Sequence, residues 1–236
     1  MQCCRLFSLI VLWWVVLRPL VAGSAWEEGS VVVFLGDSIT RNGAVPPAGF
    51  IRVVEREFAE KGIPLKVIPA GIGGQKSLQM LARLETDVLA RKPDWLVLSC
   101  GVNDVWHGAN GTSLEDYRRN MTEIVTRAQA AGVKVLILTA TLIGEDSGNA
   151  NNLRLDSYNE FLRQLAREKG CLLADPNNAM RRALAKESGR DEKGLLLTTD
   201  GVHLNEAGNR LVADEILVTL GFSQPGGDGG GPGKSR

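Results

Sequence analysis

The chain has 236 residues, of which 44% are hydrophobic and 23% charged, a balance typical of one soluble α/β-sized domain with a full core. Lysine plus arginine and aspartate plus glutamate each number 27, so the formal net charge is zero. No long basic or acidic run interrupts the sequence, which argues against nucleic acid and against an anionic membrane surface as partners.

The first 25 residues predict a secretory signal peptide. Arg5 precedes an apolar run over residues 6–17, and small residues at 21–25 offer a cleavage site. A bilayer span takes about 20 residues, so this run is short for a transmembrane helix, although an uncleaved anchor is the alternative. We therefore expect a secreted or periplasmic protein with no stable membrane association after cleavage.

The rest of the chain divides into one domain and a tail. Residues 26–222 carry the regular patterns of a folded domain, whereas 223–236 are rich in glycine and proline and predict a disordered tail. Two of the four cysteines lie in the signal peptide. We expect Cys100 and Cys171 to stay unpaired, because they fall at opposite ends of predicted parallel strands.

Short apolar runs alternate with amphipathic segments through the domain. Five runs predict strands that are buried on both faces, over residues 31–35, 65–68, 94–99, 133–139 and 171–174. Segments with helical spacing, most of them ended by glycine or proline, predict helices over residues 50–61, 78–91, 114–131, 152–169, 176–188 and 205–220. This alternation predicts a doubly wound, five-stranded parallel sheet with its functional residues beyond the carboxyl ends of the strands.

Ser38 follows the first predicted strand, in the tripeptide Gly36-Asp37-Ser38, where the chain turns into a helix. A serine there presents its Oγ at the edge of the sheet, and its backbone N–H points to where an oxyanion would form. The alternative is a serine that only caps the helix. The chain has two histidines, His107 and His203, so the choice of an imidazole base is narrow.

The loop before the last predicted helix holds Asp200 and His203. Three-residue spacing in a tight turn lets the carboxylate reach Nδ1 of the imidazole and leaves Nε2 free for Ser38. The carboxylate would fix the tautomer and stabilise the imidazolium. The three residues thus form the set that activates a hydroxyl for acyl transfer, although a surface histidine beside a helix cap is the alternative.

Two further turns follow the second and third predicted strands. Residues 70–75 contain three glycines, which can bring free N–H groups close to an anion or can simply form a tight turn. Asn103, in the next turn, can donate its side-chain amide to an oxyanion without carrying charge, or can form an Asx turn. All of these turns are predicted at the same edge of the sheet.

Over about residues 31–220 the chain resembles the GDSL/SGNH hydrolases, a family of esterases and lipases. The blocks that carry the resemblance are residues 36–40, 71–74, 101–104 and 200–205. The resemblance implies a three-layer α/β/α sandwich of flavodoxin type and a carboxylic ester hydrolase that needs no metal or organic cofactor. It also implies that Ser38 is the nucleophile, His203 its base and Asp200 the acid that orients the base.

The resemblance further implies an oxyanion hole. Its donors would be the backbone N–H groups of Ser38 and Gly74 and the side chain of Asn103. The second block departs from the family pattern, because Pro69 stands where many members carry asparagine and Gln75 where many carry aspartate. The donor glycine could therefore be Gly73, although the register of the block favours Gly74.

The predicted substrate is a short-chain, acetyl ester of a carbohydrate. Family members with this Gly-Asp-Ser-Ile-Thr opening often act on acetylated sugars, and no long apolar lid is evident in the sequence. The runner-up is a lysophospholipase or acyl thioesterase acting on longer chains, but the loop over 140–150 is polar and favours small acyl groups. A non-catalytic glycan-binding module is disfavoured by the complete set of catalytic residue types.

Trp106 and His107 are candidate substrate-binding residues, since a flat apolar ring suits the face of a pyranose. The alternatives are a core tryptophan and an exposed loop histidine with no role. The expected partner is a small-molecule or glycan ester. The sequence carries no indication of an oligomeric state.

Overall fold

A computed structural model of the chain describes residues 25–187 and 194–222. The predicted signal peptide, apart from Ala25, and the predicted tail lie outside the described residues. The described chain contains one five-stranded sheet in which every neighbouring pair is parallel, in the order β2-β1-β3-β4-β5. The strands are β1 Val31–Gly36, β2 Lys66–Gly71, β3 Trp95–Ser99, β4 Lys134–Leu138 and β5 Leu172–Ala174.

Nine α-helices lie within the described residues. They are α1 Ser38–Gly43, α2 Phe50–Glu60, α3 Ser77–Ala82, α4 Leu84–Asp87, α5 Val102–Trp106, α6 Leu114–Ala130, α7 Ala150–Lys169, α8 Pro176–Lys186 and α9 Glu206–Thr219. Helices α2, α8 and α9 pack together, and so do α3, α6 and α7. From β1 to β2 the chain crosses the sheet in one direction, and from β2 through β3 and β4 to β5 it crosses in the other. Because crossovers between parallel strands are right-handed, the two sets of helices lie on opposite faces of the sheet.

The predicted α/β fold is confirmed, and the strand order explains where a site can form. The connection from β1 leads to β2 on one side, while β3 lies on the other side of β1. A crevice therefore opens beyond the carboxyl ends of β1 and β3, at the point where the direction of winding changes. Ser38 follows β1 and Asn103 follows β3, so both lie at this crevice.

The central strands are buried as predicted, but the edge strands are not. In β1, β3 and β4 nearly every residue is buried, whereas β2 has no buried residue and β5 has one. The prediction that all five strands are buried on both faces is therefore wrong for β2 and β5. An edge strand has a neighbour on one side only, and its helical cover is correspondingly incomplete.

Two local predictions also need correction. The single helix expected over residues 78–91 is divided into α3, α4 and a short 3₁₀ turn, Leu89–Arg91. The turn expected after β3 is instead the short helix α5, and Asn103 lies in its first turn. None of the described helices is both long and apolar enough to cross a lipid bilayer.

Candidate active site

Ser38 is placed by the junction between β1 and α1. Asp37 is the N-cap of α1, and its Oδ1 accepts the backbone N–H of Ile39 at 2.9 Å. Ser38 is the first residue of the helix, so its own N–H precedes the ladder of intrahelical hydrogen bonds. Ser38 therefore lies at the crevice beyond the end of β1.

Ser38, His203 and Asp200 form a continuous hydrogen-bonded chain. The Ser38 Oγ lies 2.9 Å from Nε2 of His203, and the His203 Nδ1 lies 2.6 Å from Oδ2 of Asp200. The second carboxylate oxygen of Asp200 accepts the backbone N–H groups of Val202, at 2.9 Å, and of His203, at 2.7 Å. These bonds leave Nε2 as the nitrogen that can take a proton from the serine.

Hydrogen bonding keeps Asp200 ionised. The His203 side chain and the backbone N–H groups of His203 and Val202 together lower the pKa of Asp200 to about 2, against a small opposing effect of burial. The Asp200 side chain is 51% exposed and that of His203 is 28% exposed. The relay is thus half open to water, and its order comes from hydrogen bonds rather than from burial.

A narrow hairpin carries Asp200 and His203. Thr198 and Leu204 form an isolated antiparallel bridge, and the Thr199 N–H donates to the His203 carbonyl at 2.8 Å. Gly201, at the tip, has a φ of +93°, which a residue with a side chain adopts only with strain. The hairpin over residues 198–204 therefore closes tightly enough for a carboxylate to contact a ring three residues later.

Asn103 reaches the same crevice from the start of α5. Its Nδ2 donates to the Gln75 carbonyl and to Oδ2 of Asp37, both at 3.2 Å, and the residue is 5% exposed. Gly74, which precedes Gln75, has a φ of +75° and an exposed backbone. Asn103 thus holds the glycine turn after β2 against the junction that carries Ser38.

Arg83 fixes the far side of the glycine turn. Its Nε donates to Oε1 of Gln75 at 2.6 Å, one Nη donates to the Gly36 carbonyl at 2.8 Å and the other pairs with Asp87 at 2.9 Å. Gln75, which departs from the aspartate of many family members, therefore has a defined role as an acceptor for Arg83. Pro69, the other departure, lies within β2 and pairs with Phe34 of β1.

A buried polar cluster lies beneath the site. Asp104 accepts the N–H and the hydroxyl of Ser77, the latter at 2.7 Å, and also the thiol of Cys100 at 3.3 Å. Asn120 donates to the Ser77 Oγ at 3.0 Å. Burial raises the pKa of the Cys100 thiol well above its ordinary value, so this cysteine remains protonated. The cluster ties α3 and α6 to the start of α5.

Asp37 is a second buried acid at the site. It is 2% exposed, and burial raises its pKa to about 6, although the N–H of Ile39 opposes this effect. The nearby carboxylate of Asp104 acts in the same direction as burial. Asp37 therefore titrates close to neutral pH while it is hydrogen-bonded to both Ile39 and Asn103.

Trp106 and His107 stand at the outer end of α5. Trp106 is 45% exposed, so it is not a core tryptophan, and His107 is exposed as well. Their rings are nearly parallel, with centroids 6.2 Å apart. The structure thus leaves a stacked pair of rings on the surface, one helical turn from Asn103.

Sequence reasoning missed Arg83 and Glu145. Arg83 falls inside a segment expected to be one uninterrupted helix, and two of its partners, Gln75 and Gly36, lie outside that segment. Glu145 lies in the polar loop over 140–150, and its carboxylate contacts residues more than 50 positions away. A single sequence contains no local pattern that marks such contacts.

Comparison with known proteins identifies the class of protein that this fold and site define. The GDSL-like Lipase/Acylhydrolase family matches the chain over residues 34–211. The chain belongs to this family and is a carboxylic ester hydrolase of the GDSL type.

Individual relatives narrow the comparison. The chain is 35% identical to a crystallised acetyl xylan esterase, AlAXEase, with a TM-score of 0.75 over 80% of this chain and 98% of that one. It is 26% identical to the acetylxylan esterase of Geobacillus stearothermophilus over 83% of this chain and 95% of that protein. The crystal structure of Axe2, an acetylxylan esterase from the same organism, gives a TM-score of 0.74 at 25% identity, over 84% of this chain and 97% of that one.

Proposed function

We propose that this protein is an exported serine esterase that removes acetyl groups from carbohydrates through an acyl-enzyme. The observation that carries the proposal is the hydrogen-bonded chain from Ser38 through His203 to Asp200, with contacts of 2.9 and 2.6 Å. This chain gives the serine hydroxyl both a base and a means of stabilising the charge that the base acquires.

The first half of the reaction transfers the acyl group to the enzyme. The Ser38 Oγ forms a bond to the ester carbonyl carbon while its proton moves to Nε2 of His203, and the carbonyl π electrons become the oxyanion. Collapse of this intermediate breaks the bond to the alcohol oxygen, which takes the proton from Nε2 as it leaves. An acyl-serine and a free alcohol result.

The second half returns the enzyme to its starting state. Water gives a proton to Nε2 of His203 as its oxygen attacks the acyl carbon, and the new oxyanion collapses with departure of the Ser38 Oγ. The serine oxygen recovers the proton from Nε2, and the carboxylic acid is released. Asp200 accepts the hydrogen bond from Nδ1–H of His203 throughout, stays ionised and compensates the transient positive charge of the imidazolium.

The proposed oxyanion donors are the backbone N–H groups of Ser38 and Gly74 and the side chain of Asn103. Both N–H bonds of the Asn103 amide contact internal acceptors at 3.2 Å, the Gln75 carbonyl and a carboxylate oxygen of Asp37. A developing oxyanion is a stronger acceptor than a neutral carbonyl, so it would take over or share the proton now given to Gln75. Gly74 is favoured over Gly73 by the register of its block.

Two observations support an acetylated carbohydrate as the substrate. The relatives that the chain matches over nearly their whole length include acetylxylan esterases. The exposed ring of Trp106, stacked beside His107, offers an apolar platform of the kind that sugar faces contact. Export is supported by the signal-like sequence of the first 25 residues.

The first experiment compares p-nitrophenyl esters from acetate to palmitate, using protein that starts at Trp26. We expect the highest kcat/KM with acetate, and Ser38→Ala should abolish turnover. Ser157→Ala, which changes an exposed serine on α7, should leave turnover unchanged. An optimum at eight carbons or more would instead indicate a lysophospholipase or thioesterase. No activity on any ester would contradict the proposal and favour a glycan-binding module.

A second experiment tests the carbohydrate part of the proposal. Trp106→Ala should raise KM for an acetylated xylo-oligosaccharide several-fold, because stacking on an aromatic ring contributes about 1 kcal/mol. The same variant should leave KM for p-nitrophenyl acetate unchanged, since that substrate has no sugar. An equal change with both substrates would contradict a sugar platform at Trp106.

A further inference from the structure

The backbone segment over residues 196–198 donates all of its N–H groups to one carboxylate. Oε2 of Glu145 accepts the Leu196 N–H at 2.6 Å, and Oε1 accepts the N–H groups of Leu197 and Thr198, both at 2.8 Å. The hydroxyl of Thr198 adds a fourth bond to Oε1 at 2.7 Å. Both oxygens of Glu145 are therefore used in fixing this one segment.

The carbonyl groups of the same segment are held from the other side. Asn205 donates its side-chain amide to the carbonyls of Leu196, at 3.0 Å, and Thr198, at 3.3 Å. Its backbone N–H donates to the Leu197 carbonyl at 3.0 Å. Since Thr198 begins the hairpin that carries Asp200 and His203, Glu145 and Asn205 together set where that hairpin starts.

Glu145 itself projects from a braced loop. The buried amide of Asn152 donates to the carbonyls of Ile143, Gly144 and Asp146, at 3.2, 3.1 and 2.8 Å. Gly144 also donates its N–H to the carbonyl of Gly201, at the tip of the hairpin, at 2.6 Å. The loop after β4 thus contacts the hairpin at both its start and its tip.

We propose that Glu145 is a positioning residue for the ester hydrolysis, because its carboxylate fixes the hairpin over 198–204 and so the approach of His203 to Ser38. This inference rests on the proposed function of Ser38, His203 and Asp200. Glu145 does not touch the reacting atoms; it acts through the backbone of Leu196, Leu197 and Thr198.

The negative charge of Glu145 strengthens the hydrogen bonds that it accepts from residues 196–198. Partial burial raises the pKa of Glu145, but the hydrogen bonds from Thr198, Leu196 and Leu197 outweigh it, so the net pKa lies below the usual value for glutamate. Hydrogen bonds to an ionised acceptor are about twice as strong as those between neutral groups. Glutamine at this position would keep one acceptor oxygen and turn an NH₂ group towards backbone N–H donors.

The test compares Glu145→Gln with a matched control on the same loop, Asp146→Asn. Asp146 is exposed, and within the described residues its carboxylate accepts one local N–H, from Gly148 at 2.8 Å, a contact that asparagine can keep. We expect Glu145→Gln to lower kcat for p-nitrophenyl acetate by about 10²-fold with little change in KM, since small misplacements of catalytic groups have effects of this size. Asp146→Asn should match the wild type in both constants.

A spectroscopic readout separates positioning from general loss of structure. The short contact of 2.6 Å between Nδ1 of His203 and Asp200 should give a far-downfield imidazole proton in the wild type. The chain has only two histidines, so His107→Gln assigns the signals. In folded Glu145→Gln this proton should broaden or move upfield, while Asp146→Asn should keep it.

Glu145→Gln that folds with the wild-type kcat and an unchanged His203 proton would overturn the inference. If this variant does not fold, Thr198→Val removes only the hydroxyl bond and should still lower kcat at constant KM; an unchanged kcat would then overturn it. If the wild type hydrolyses no ester, the proposed function fails, but the His203 proton in Glu145→Gln still decides whether Glu145 positions the hairpin.

Discussion

Two aspartates cap helices in the same way, but their surroundings shift their pKa values in opposite directions. Asp37 accepts a backbone N–H at the start of α1, and Asp175 accepts one at the start of α8. Burial raises the pKa of Asp37 to about 6. Burial also acts on Asp175, but hydrogen bonds from Arg163 and Thr139 outweigh it and lower its pKa. Replacing each aspartate by asparagine therefore gives a matched pair of variants.

The expected magnitude follows from linkage between protonation and folding. The ordinary pKa of Asp37 is 3.8, so at pH values between 3.8 and about 6 the folded chain holds a proton that the unfolded chain has released. The stability that Asp37 contributes is fully present below pH 3.8 and is lost as the pH rises through about 6. At about 1.4 kcal/mol for each pKa unit, the loss amounts to about 3 kcal/mol.

The assay is urea unfolding of the wild type, Asp37→Asn and Asp175→Asn at constant ionic strength, from about pH 4 to about pH 7.5. Relative to the wild type, Asp37→Asn should gain about 2.5 kcal/mol of unfolding free energy across this range, because the rest of the loss falls below pH 4. A weakened contact with Asn103 would lower the stability of Asp37→Asn by the same amount at every pH, so it would not alter the pH dependence. Asp175 contributes stability above its unfolded pKa of 3.8 and loses it only as the pH falls below that value, so the deficit of Asp175→Asn should hardly change across this range.

Two outcomes would refute this reasoning. A difference between Asp37→Asn and the wild type that is the same at every pH would mean that no buried carboxyl titrates at the start of α1. A change of the same sign in Asp37→Asn and Asp175→Asn would mean that the slope arises from overall charge, and not from the separate surroundings of the two caps.

Two further predictions concern Gly71, which packs against α1, and Asp200, which contacts His203. In Gly71→Ala the new Cβ would lie 2.2 Å from the backbone nitrogen of Arg41 in α1. Gly71→Ala should therefore destabilise the protein by at least about 1–3 kcal/mol in urea unfolding. The control Gly194→Ala, whose new Cβ would have no described atom within 4 Å, should have little effect. Equal stabilities of the two variants would contradict the close packing at Gly71. Asp200→Asn should lower kcat by about 10²–10⁴-fold. The loss should be smaller than for a buried triad aspartate, because the Asp200 side chain is 51% exposed. A kcat equal to that of the wild type would exclude Asp200 from the hydrogen-bonded relay.

Much of the candidate site could be predicted because its signals are local. Asp200 and His203 are three residues apart, and a tight turn is sufficient to join them. Ser38 follows a short apolar run that predicts a buried strand, and the strand order then brings it to the crevice. The choice of His203 as the proposed base followed from the small number of histidines in the chain.

The remaining features depend on contacts between distant parts of the chain. The break between α3 and α4 falls at Arg83, whose guanidinium turns towards Gln75 and Gly36 instead of continuing a uniform helix. The partial exposure of β2 and β5 follows from their places at the edges of the sheet, which an apolar run does not reveal. Glu145 is recognisable only when the hairpin is seen beside it.

The distance along the chain between Ser38 and His203, 165 positions, has a consequence for the timing of activity. A ribosome that adds about 5–20 residues each second would add Ser38 roughly 10–30 s before His203. During that interval the growing chain carries Ser38 without its proposed base. In the proposed mechanism ester hydrolysis therefore begins only once the hairpin over residues 198–204 has been made and docked, so turnover would report the docking of this hairpin.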